Sequence, residues 1–175
     1  MDDSQGDRAV IGMLEHMGCG ISSDSSTTEK RSVTIRGGEL RGVELDLNAT
    51  PDALPALAVT ACFAEGETRL INVPQAREKE TDRIAAMTEI LSSLGADIEE
   101  LEDGLVIRGR GRSGDAGKPA LTGGEVDGLG DHRIVMALSI AALGADGPIT
   151  ITTAEAADIT FPGFFDLLEQ VRVSR

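Results

Sequence analysis

The clearest regularity in the chain is a repeated order of apolar and polar stretches. Residues 52–64 are apolar at nearly every position, which is typical of a buried helix, and residues 68–73 have the composition of a strand. Residues 81–94 carry apolar side chains at the three- and four-residue spacing of an amphipathic helix. Two further strand-like runs, residues 97–101 and 105–108, surround a Glu-Asp-Gly turn and predict a hairpin.

The same order returns in the C-terminal part of the chain. Residues 131–143 form a second apolar stretch, residues 149–152 a second strand, and residues 160–171 a second amphipathic helix. Near the start, residues 8–17 resemble the later helix and residues 33–36 resemble the end of the hairpin. This internal similarity predicts a repeated β-α-β-α-β-β unit.

Two more strand candidates, residues 43–47 and 124–127, lead into the two apolar helices. The unit is then present once in full and twice in part. The first copy lacks its opening strand and helix, and the last copy lacks its closing hairpin. We expect one α/β (α+β) domain over residues 1–175 and expect it to be part of a longer protein.

Composition narrows the classes of function. Apolar residues make up 41% of the 175, which suits a globular domain, whereas aromatic residues make up only 2%. The formal net charge of −14 argues against binding to nucleic acid or to an anionic membrane. No stretch is long and apolar enough for a membrane span, and the first residues lack the features of a signal peptide. We expect a cytoplasmic protein, with an acidic surface that is either simply solvated or adapted to high salt.

Most motifs have an ordinary structural interpretation. The string Gly109-x-Gly111-x-x-Gly114 matches a dinucleotide fingerprint, but the residues that follow cannot open the helix which that site requires. We predict a surface loop there. The residues Cys19 and Cys62 form no CxxC pair and stand in apolar surroundings, so we expect reduced packing residues. The scattered histidines and cysteines suggest no metal site, and no cofactor is expected.

Two aspartates stand in the first turns of the apolar helices. Asp52 and Asp131 could each be a helix cap, since a carboxylate there accepts hydrogen bonds from free backbone N–H groups. Alternatively, both helices begin at the same edge of the repeated sheets, where α/β proteins often place their sites. A carboxylate at that edge can act as a general base.

A dense charge cluster, residues 77–83, precedes the second helix and contains three of the scarce basic residues. Either this is a solvated helix entry, or the basic groups and the helix N-terminus together form an anion site. In the second case Glu80 is suited to proton transfer beside a bound anion. His132, flanked by Asp131 and Arg133, is a third candidate, because an arginine fork can bind carboxylate or phosphate twice.

Four strings in this order and spacing resemble one family. They are DLNATPDA at residues 46–53, REKETDR at 77–83, GDHRIVM at 130–136 and TFPGFF at 160–165. Together they resemble the C-terminal part of the 3-phosphoshikimate 1-carboxyvinyltransferases, the EPSP synthases of the shikimate pathway. The resemblance covers nearly the whole chain, and KETDR with DHR at this separation is its most specific part.

The resemblance implies an enolpyruvyl-transferase fold, in which two domains each contain three β-α-β-α-β-β units with helices packed inside sheets. The chain would be the C-terminal domain, facing an absent N-terminal domain across the active-site cleft. The implied reaction transfers the enolpyruvyl group of phosphoenolpyruvate to the 5-hydroxyl of shikimate 3-phosphate and releases phosphate. The 175 residues alone would then be inactive.

The resemblance also implies roles for single residues. Asp52 would accept the proton of the 5-hydroxyl, and Glu80 would handle the proton at the methylene carbon of phosphoenolpyruvate. Arg83 and Arg133 would grip phosphoenolpyruvate from an open cleft wall, so that neither would matter much for stability. Asp52, Gln75 and Lys79 would contact shikimate 3-phosphate, and His132 would be a catalytic site residue of less defined role.

Two positions depart from the family pattern. Gln75 stands where many members have Asn, and Ile159 stands where many have a Lys that reaches phosphoenolpyruvate. The second departure bears on affinity for phosphoenolpyruvate and on sensitivity to glyphosate. Two alternatives remain at this point. One is the related UDP-N-acetylglucosamine enolpyruvyl transferase, although the string KETDR argues against it. The other is a non-catalytic domain that binds a small anion or assembles with a partner.

Overall fold

The structure begins with one helix and a two-stranded antiparallel hairpin. The computed structural model describes residues 9–24, 32–112, 114–115 and 117–171. Helix α1 (Ala9–His16) ends before Gly18, whose φ of 103° reverses the chain. Strands β1 (Gly20–Asp24) and β2 (Ser32–Arg36) follow. The helix and β2 were predicted, β1 was not, and residue 8 of the predicted helix lies outside the described residues.

The middle of the chain is the complete copy of the repeated unit. Its elements are β3 (Glu44–Asp46), α2 (Leu54–Cys62), β4 (Glu65–Ile71), α3 (Arg83–Ser93), β5 (Asp97–Leu101) and β6 (Gly104–Arg110). The four strands form one sheet in the order β3-β4-β6-β5, in which β3 and β4 are parallel and the other neighbours antiparallel. The β-α-β-α-β-β order predicted from the sequence is confirmed.

The last copy repeats the first half of that pattern. Its elements are β7 (Thr122–Asp127), α4 (His132–Ala141), β8 (Asp146–Thr152) and α5 (Phe164–Val171). Strands β7 and β8 are parallel, so α4 connects them as α2 connects β3 and β4. The closing hairpin is missing in the described residues, as the sequence predicts.

Three helices form the interior. Seven of the nine residues of α2 are buried, and α2 packs against α3, α4 and strand β6. Helices α1 and α5 contain no buried residue and lie at the margins. The expectation of helices packed inside sheets is therefore correct for α2, α3 and α4, whose apolar surface supplies the main driving force for folding.

Two strands begin earlier than the sequence pattern suggested. Strands β4 and β8 start at Glu65 and Asp146, three residues before the predicted starts. Gly66 and Gly147 lie within these strands with φ of 91° and 132°. Gly66 still faces Gly109 across the sheet, since glycine adopts such angles without loss of pairing.

The glycine-rich segment after β6 is not a nucleotide site. Gly109 lies within β6, where an added Cβ would come to 2.2 Å from the carbonyl oxygens of Ala61 and Ala64 at the end of α2. Gly111 and Gly114 have φ of 68° and 73°. In the described part of residues 111–121 no helix follows, so the prediction of a loop is confirmed for Gly111 and Gly114 and wrong for Gly109.

The two cysteines differ in how deeply they are buried. Cys62 is buried, donates its thiol to the carbonyl oxygen of Ala58, and has its pKa raised to about 12 by burial, in agreement with a packing role. Cys19 is half-buried and also a free thiol.

Over the described ranges, no helix has the length and apolar character that crossing a bilayer requires.

Candidate functional site

Three segments meet at one edge of the fold and bring the predicted site residues together. They are the 3₁₀ helix Pro51–Ala53 before α2, the turn that leads into α3, and the start of α4. Asp82 caps α3 by accepting a hydrogen bond from the backbone N–H of Ala85 at 3.0 Å. Asp131 caps α4 by accepting from the backbone N–H groups of Arg133 and Ile134.

The guanidinium of Arg83 is the centre of this cluster. Its side chain is 1% exposed and donates through Nε to Oδ2 of Asp131 at 2.8 Å. Nη1 donates to Oδ1 of Asp52 at 2.9 Å, and Nη2 to Oε2 of Glu80 at 2.7 Å. Burial by itself would lower the pKa of Arg83, but these carboxylates outweigh it and raise the pKa. One buried cation thus joins three separate segments.

Asp52 is surrounded by cations. Besides Arg83, Nζ of Lys79 lies 3.3 Å from Oδ1 and Nη2 of Arg133 lies 3.1 Å from Oδ2. Partial burial alone would raise the pKa of Asp52, but Arg133, Lys79 and Arg83 outweigh it and hold that pKa below its ordinary value. The carboxylate is therefore ionised at neutral pH, and both of its oxygens contact cations.

The two aspartates differ in their role as helix caps. Asp131 is a cap, is completely buried, and also accepts a hydrogen bond from the hydroxyl of Thr81 at 3.2 Å. Burial would raise its pKa, but Arg83 and the backbone N–H groups lower it. Asp52 lies inside the 3₁₀ helix, whose N-cap residue is Thr50, and the N-cap residue of α2 is Ala53. Neither helix has a hydrogen bond from a backbone N–H group to a capping side chain. The helix-cap alternative is confirmed for Asp131 and wrong for Asp52.

Glu80 and His132 form the outer part of the cluster. Oε1 of Glu80 lies 3.8 Å from Nδ1 of His132, while its other oxygen holds Arg83. The side chain of His132 is nearly buried, and that of Glu80 is 48% exposed. A partly exposed carboxyl group beside an imidazole, such as that of Glu80, can exchange a proton with a ligand in contact with it.

Two sequence expectations require correction. Arg83 does not lie on an open wall, since three carboxylates enclose it and it is 1% exposed, so a small effect on stability is no longer expected. Arg77 takes no part in the cluster of basic groups. Its guanidinium instead binds Asp82, Glu100 and the carbonyl oxygens of Leu101 and Glu102, and so ties the β5–β6 turn to the start of α3.

Two further positions lie at the margin. Gln75 donates its amide to the carbonyl oxygen of Asn48 at 2.9 Å and to its side-chain oxygen at 3.2 Å. Ile159 is 72% exposed at the end of the 3₁₀ helix Ala154–Ile159. The cluster proper therefore contains six of the predicted residues, which are Asp52, Lys79, Glu80, Arg83, His132 and Arg133.

An apolar groove runs from the cluster along α2 and α4. It has a volume of about 200 Å³, begins at Asp52 and Arg133, and continues between Val59, Ile140 and Phe164. Around Asp52, the side chains of Lys79, Glu80 and Arg133 are 30%, 48% and 32% exposed. Sequence reasoning gave no indication of the groove, because its walls come from helices that are distant in the chain.

Comparison with solved structures identifies the class of fold. The chain matches EPSP synthase from Acinetobacter baumannii with a TM-score of 0.84 and 33% identity, over 95% of this chain and 39% of that one. It also matches the enolpyruvyl transferase NikO from Streptomyces tendae, with a TM-score of 0.64, 22% identity, and coverage of 96% and 37%. The fold is that of the enolpyruvyl transferases.

Comparison of sequences identifies the family. The model of the family EPSP synthase (3-phosphoshikimate 1-carboxyvinyltransferase) matches residues 1–168. The 3-phosphoshikimate 1-carboxyvinyltransferase of Acetivibrio thermocellus is 53% identical over 170 residues, which are 97% of this chain and 37% of that protein. The chain belongs to the EPSP synthase family, and it spans little more than a third of the length of the curated relatives it matches.

Proposed function

We propose that the chain is the C-terminal domain of a 3-phosphoshikimate 1-carboxyvinyltransferase and forms one wall of its active site. The observation that carries this proposal is the convergence of three cations and three carboxylates at the motif positions of the family, around Arg83. An N-terminal domain would supply the facing wall. The cytoplasmic setting expected from the sequence is part of the same proposal.

In this proposal, the anionic groups of the substrates bind to Lys79 and Arg133, the two cations of the cluster that solvent can reach. The side chains of Lys79 and Arg133 are 30% and 32% exposed, and they lie on either side of Asp52. Within the described residues, the terminal nitrogens of Arg133 contact only Asp52, at 3.1 Å from Oδ2 and 3.4 Å from the backbone carbonyl oxygen, so further Nη N–H donors are left for a ligand. Phosphoenolpyruvate carries a carboxylate and a phosphate, both of which suit charge-assisted bonds to arginine.

Proton transfer falls to Asp52 and Glu80. In the proposed addition, the 5-hydroxyl oxygen of shikimate 3-phosphate bonds to C2 of phosphoenolpyruvate and gives its proton to Asp52. Glu80, beside His132, delivers a proton to the methylene carbon, which becomes a methyl group. A methyl proton of this tetrahedral adduct then returns to Glu80, the bond from C2 to the phosphate oxygen breaks and the double bond forms again, while Asp52 releases its proton to solvent. Lys79 and Gln75 are the proposed contacts of shikimate 3-phosphate.

The test uses a full-length chimera in which these 175 residues replace the matching part of the Acetivibrio thermocellus relative. Asp52→Asn and Glu80→Gln keep the shape of each side chain and remove its base, so turnover should fall about 10²–10⁴-fold. Phosphate release is the measurement. Asp97→Asn and Glu99→Gln, which change exposed carboxylates on β5, are the matched controls and should leave turnover unchanged. Near-normal rates for Asp52→Asn or Glu80→Gln would contradict the assigned role.

A further inference from the structure

The carboxylate of Asp52 occupies the position between the cations that a bound anion would be expected to take. Its Oδ1 lies 2.9 Å from Nη1 of Arg83 and 3.3 Å from Nζ of Lys79, and its Oδ2 lies 3.1 Å from Nη2 of Arg133. Nη1 of Arg133 additionally approaches the backbone carbonyl oxygen of Asp52 at 3.4 Å. All three cations of the cluster, including the two that solvent can reach, thus already contact this one side chain.

The cluster is also balanced in charge. The three cations face three carboxylates, namely Asp52, Glu80 and Asp131, and the chain as a whole carries −14. A ligand with two or more negative charges therefore meets no local excess of positive charge. Its binding requires that one carboxylate either gives up its cations or takes a proton, because added like charge in a half-buried site is unfavourable.

The structure indicates which carboxylate this is. Asp131 is completely buried, receives two bonds from Arg83 and caps α4, so it is fixed in place. Glu80 shares only the buried Arg83, with His132 at 3.8 Å on its other oxygen. Asp52 alone contacts Lys79, Arg83 and Arg133, and its side chain is 31% exposed.

We propose that Asp52 is the resident counter-ion of the anion site, and that a polyanion bound by Lys79 and Arg133 converts it from counter-ion to proton acceptor. The inference rests on the proposed function in taking these two cations as ligand-binding groups and Asp52 as the proton acceptor. It adds a reason for the order of events: the base becomes effective only after the anion that must react has arrived.

The direction of the linkage follows from the contacts. Arg133, Lys79 and Arg83 hold the pKa of Asp52 below its ordinary value, although partial burial opposes this. A bound anion draws on the same cations and adds negative charge beside the carboxylate, so the pKa of Asp52 rises. Binding then takes up a proton, and anion affinity increases as the pH falls through the range in which Asp52 titrates.

The first test follows Asp52 itself in the unmodified 175-residue chain. Sulfate is the probe, since it carries two negative charges over most of the pH range in which aspartate titrates. The Cγ resonance of Asp52 is followed by NMR against pH, without sulfate and with saturating sulfate. We expect sulfate to raise the pKa of Asp52 by about one unit, the shift produced by a like charge about 6 Å away in a half-exposed site. Bound sulfate with an unchanged titration would overturn the proposal.

The second test measures sulfate affinity by calorimetry in a pair of variants. Asp52→Asn should bind sulfate roughly tenfold more tightly than the unmodified chain and with little pH dependence, because the competing charge is gone. Asp97→Asn removes the same charge from β5, where its partner is Arg108, and should change affinity less than about twofold. Melting temperatures confirm that both variants fold.

The remaining outcomes separate this inference from the proposed function. Weaker sulfate binding by Asp52→Asn would show that the carboxylate supports the cations rather than competes with ligand, and would overturn the counter-ion role alone. Absence of sulfate binding even to Asp52→Asn would overturn it as well, since the released cations would not form an anion site. The proposed function is judged independently, by turnover of the full-length chimera.

Discussion

At the scale of single residues, Arg83 is the group on which the cluster depends. Its guanidinium bonds Asp52, Glu80 and Asp131, which come from three segments of the chain. Because Arg83 is 1% exposed, its charge is stable only while these carboxylates surround it. Binding geometry and local stability therefore depend on the same side chain.

This arrangement predicts different effects for the two arginines of the cluster. Arg83→Ala leaves the completely buried Asp131 without its cation and should cost about 3–5 kcal/mol of stability. Arg133→Ala removes a side chain that is 32% exposed and should cost about 1 kcal/mol or less. Urea denaturation of the two variants is the measurement. Equal losses of stability would contradict the central position of Arg83.

Acid should weaken the same network. The pKa values of Asp131 and Asp52 lie below the ordinary value of 3.8, so the stability they contribute is present above that pH. It is lost as the pH falls through the lowered pKa values, when both carboxyls take up protons. The free energy of unfolding measured against pH should therefore decline more steeply in the unmodified chain than in Asp131→Asn. Identical acid slopes would contradict this assignment.

At the scale of elements, the sequence allowed most of the fold to be predicted. Helices α2, α3 and α4 are recognisable because burial on one or all sides leaves a local apolar pattern. Strand β1 was missed because its residues, GISSD, are mostly small and polar. The starts of β4 and β8 were missed because glycine at positive φ can continue a strand as well as end one.

The site was less accessible to sequence reasoning than the fold. The charged residues could be recognised by type and spacing, but their pairing could not. Arg83 and Asp131 are 48 positions apart, and their contact depends on how α3 and α4 pack. For the same reason the burial of Arg83 and the diversion of Arg77 to the β5–β6 turn were not foreseen. Local patterns carry no information about such long-range contacts.

The packing of α2 on β6 gives a test at this scale. Gly109→Ala places a methyl group 2.2 Å from the carbonyl oxygens of Ala61 and Ala64, and neither backbone segment can yield easily. We expect a loss of about 1–3 kcal/mol in thermal or urea unfolding. Gly12→Ala in α1 is the control: nothing lies within 4 Å of the added carbon, and stability should rise by about 0.5–1 kcal/mol. Similar effects at both glycines would contradict the close approach.

At the scale of the whole molecule, the complete and incomplete copies differ in their surfaces. Among the residues that the structure describes, the exposed large apolar side chains all lie in the two incomplete copies. They are Val33, Ile35, Leu129, Ile140, Leu143, Ile159, Phe161, Phe165, Leu167 and Val171. The groove between α2 and α4 opens onto part of this surface.

The charge cluster is partly exposed to water, which limits the catalysis that the chain can perform alone. Holding both substrates in register can supply several kcal/mol of barrier reduction, and a cluster open to water supplies little of it. The chain spans about 37% of the relative from Acetivibrio thermocellus, so most of an enzyme of that length lies outside it. We therefore expect the chain to fold by itself, bind either substrate weakly and fail to turn over.

The most direct test of the account measures phosphate release from phosphoenolpyruvate and shikimate 3-phosphate. Three samples are compared: the 175-residue chain alone, the remaining part of the Acetivibrio thermocellus relative alone, and the two mixed. We predict no release from either sample alone and measurable release from the mixture, which Asp52→Asn in the chain should abolish. Steady turnover by the 175 residues alone would contradict the claim that they form one wall of a shared active site.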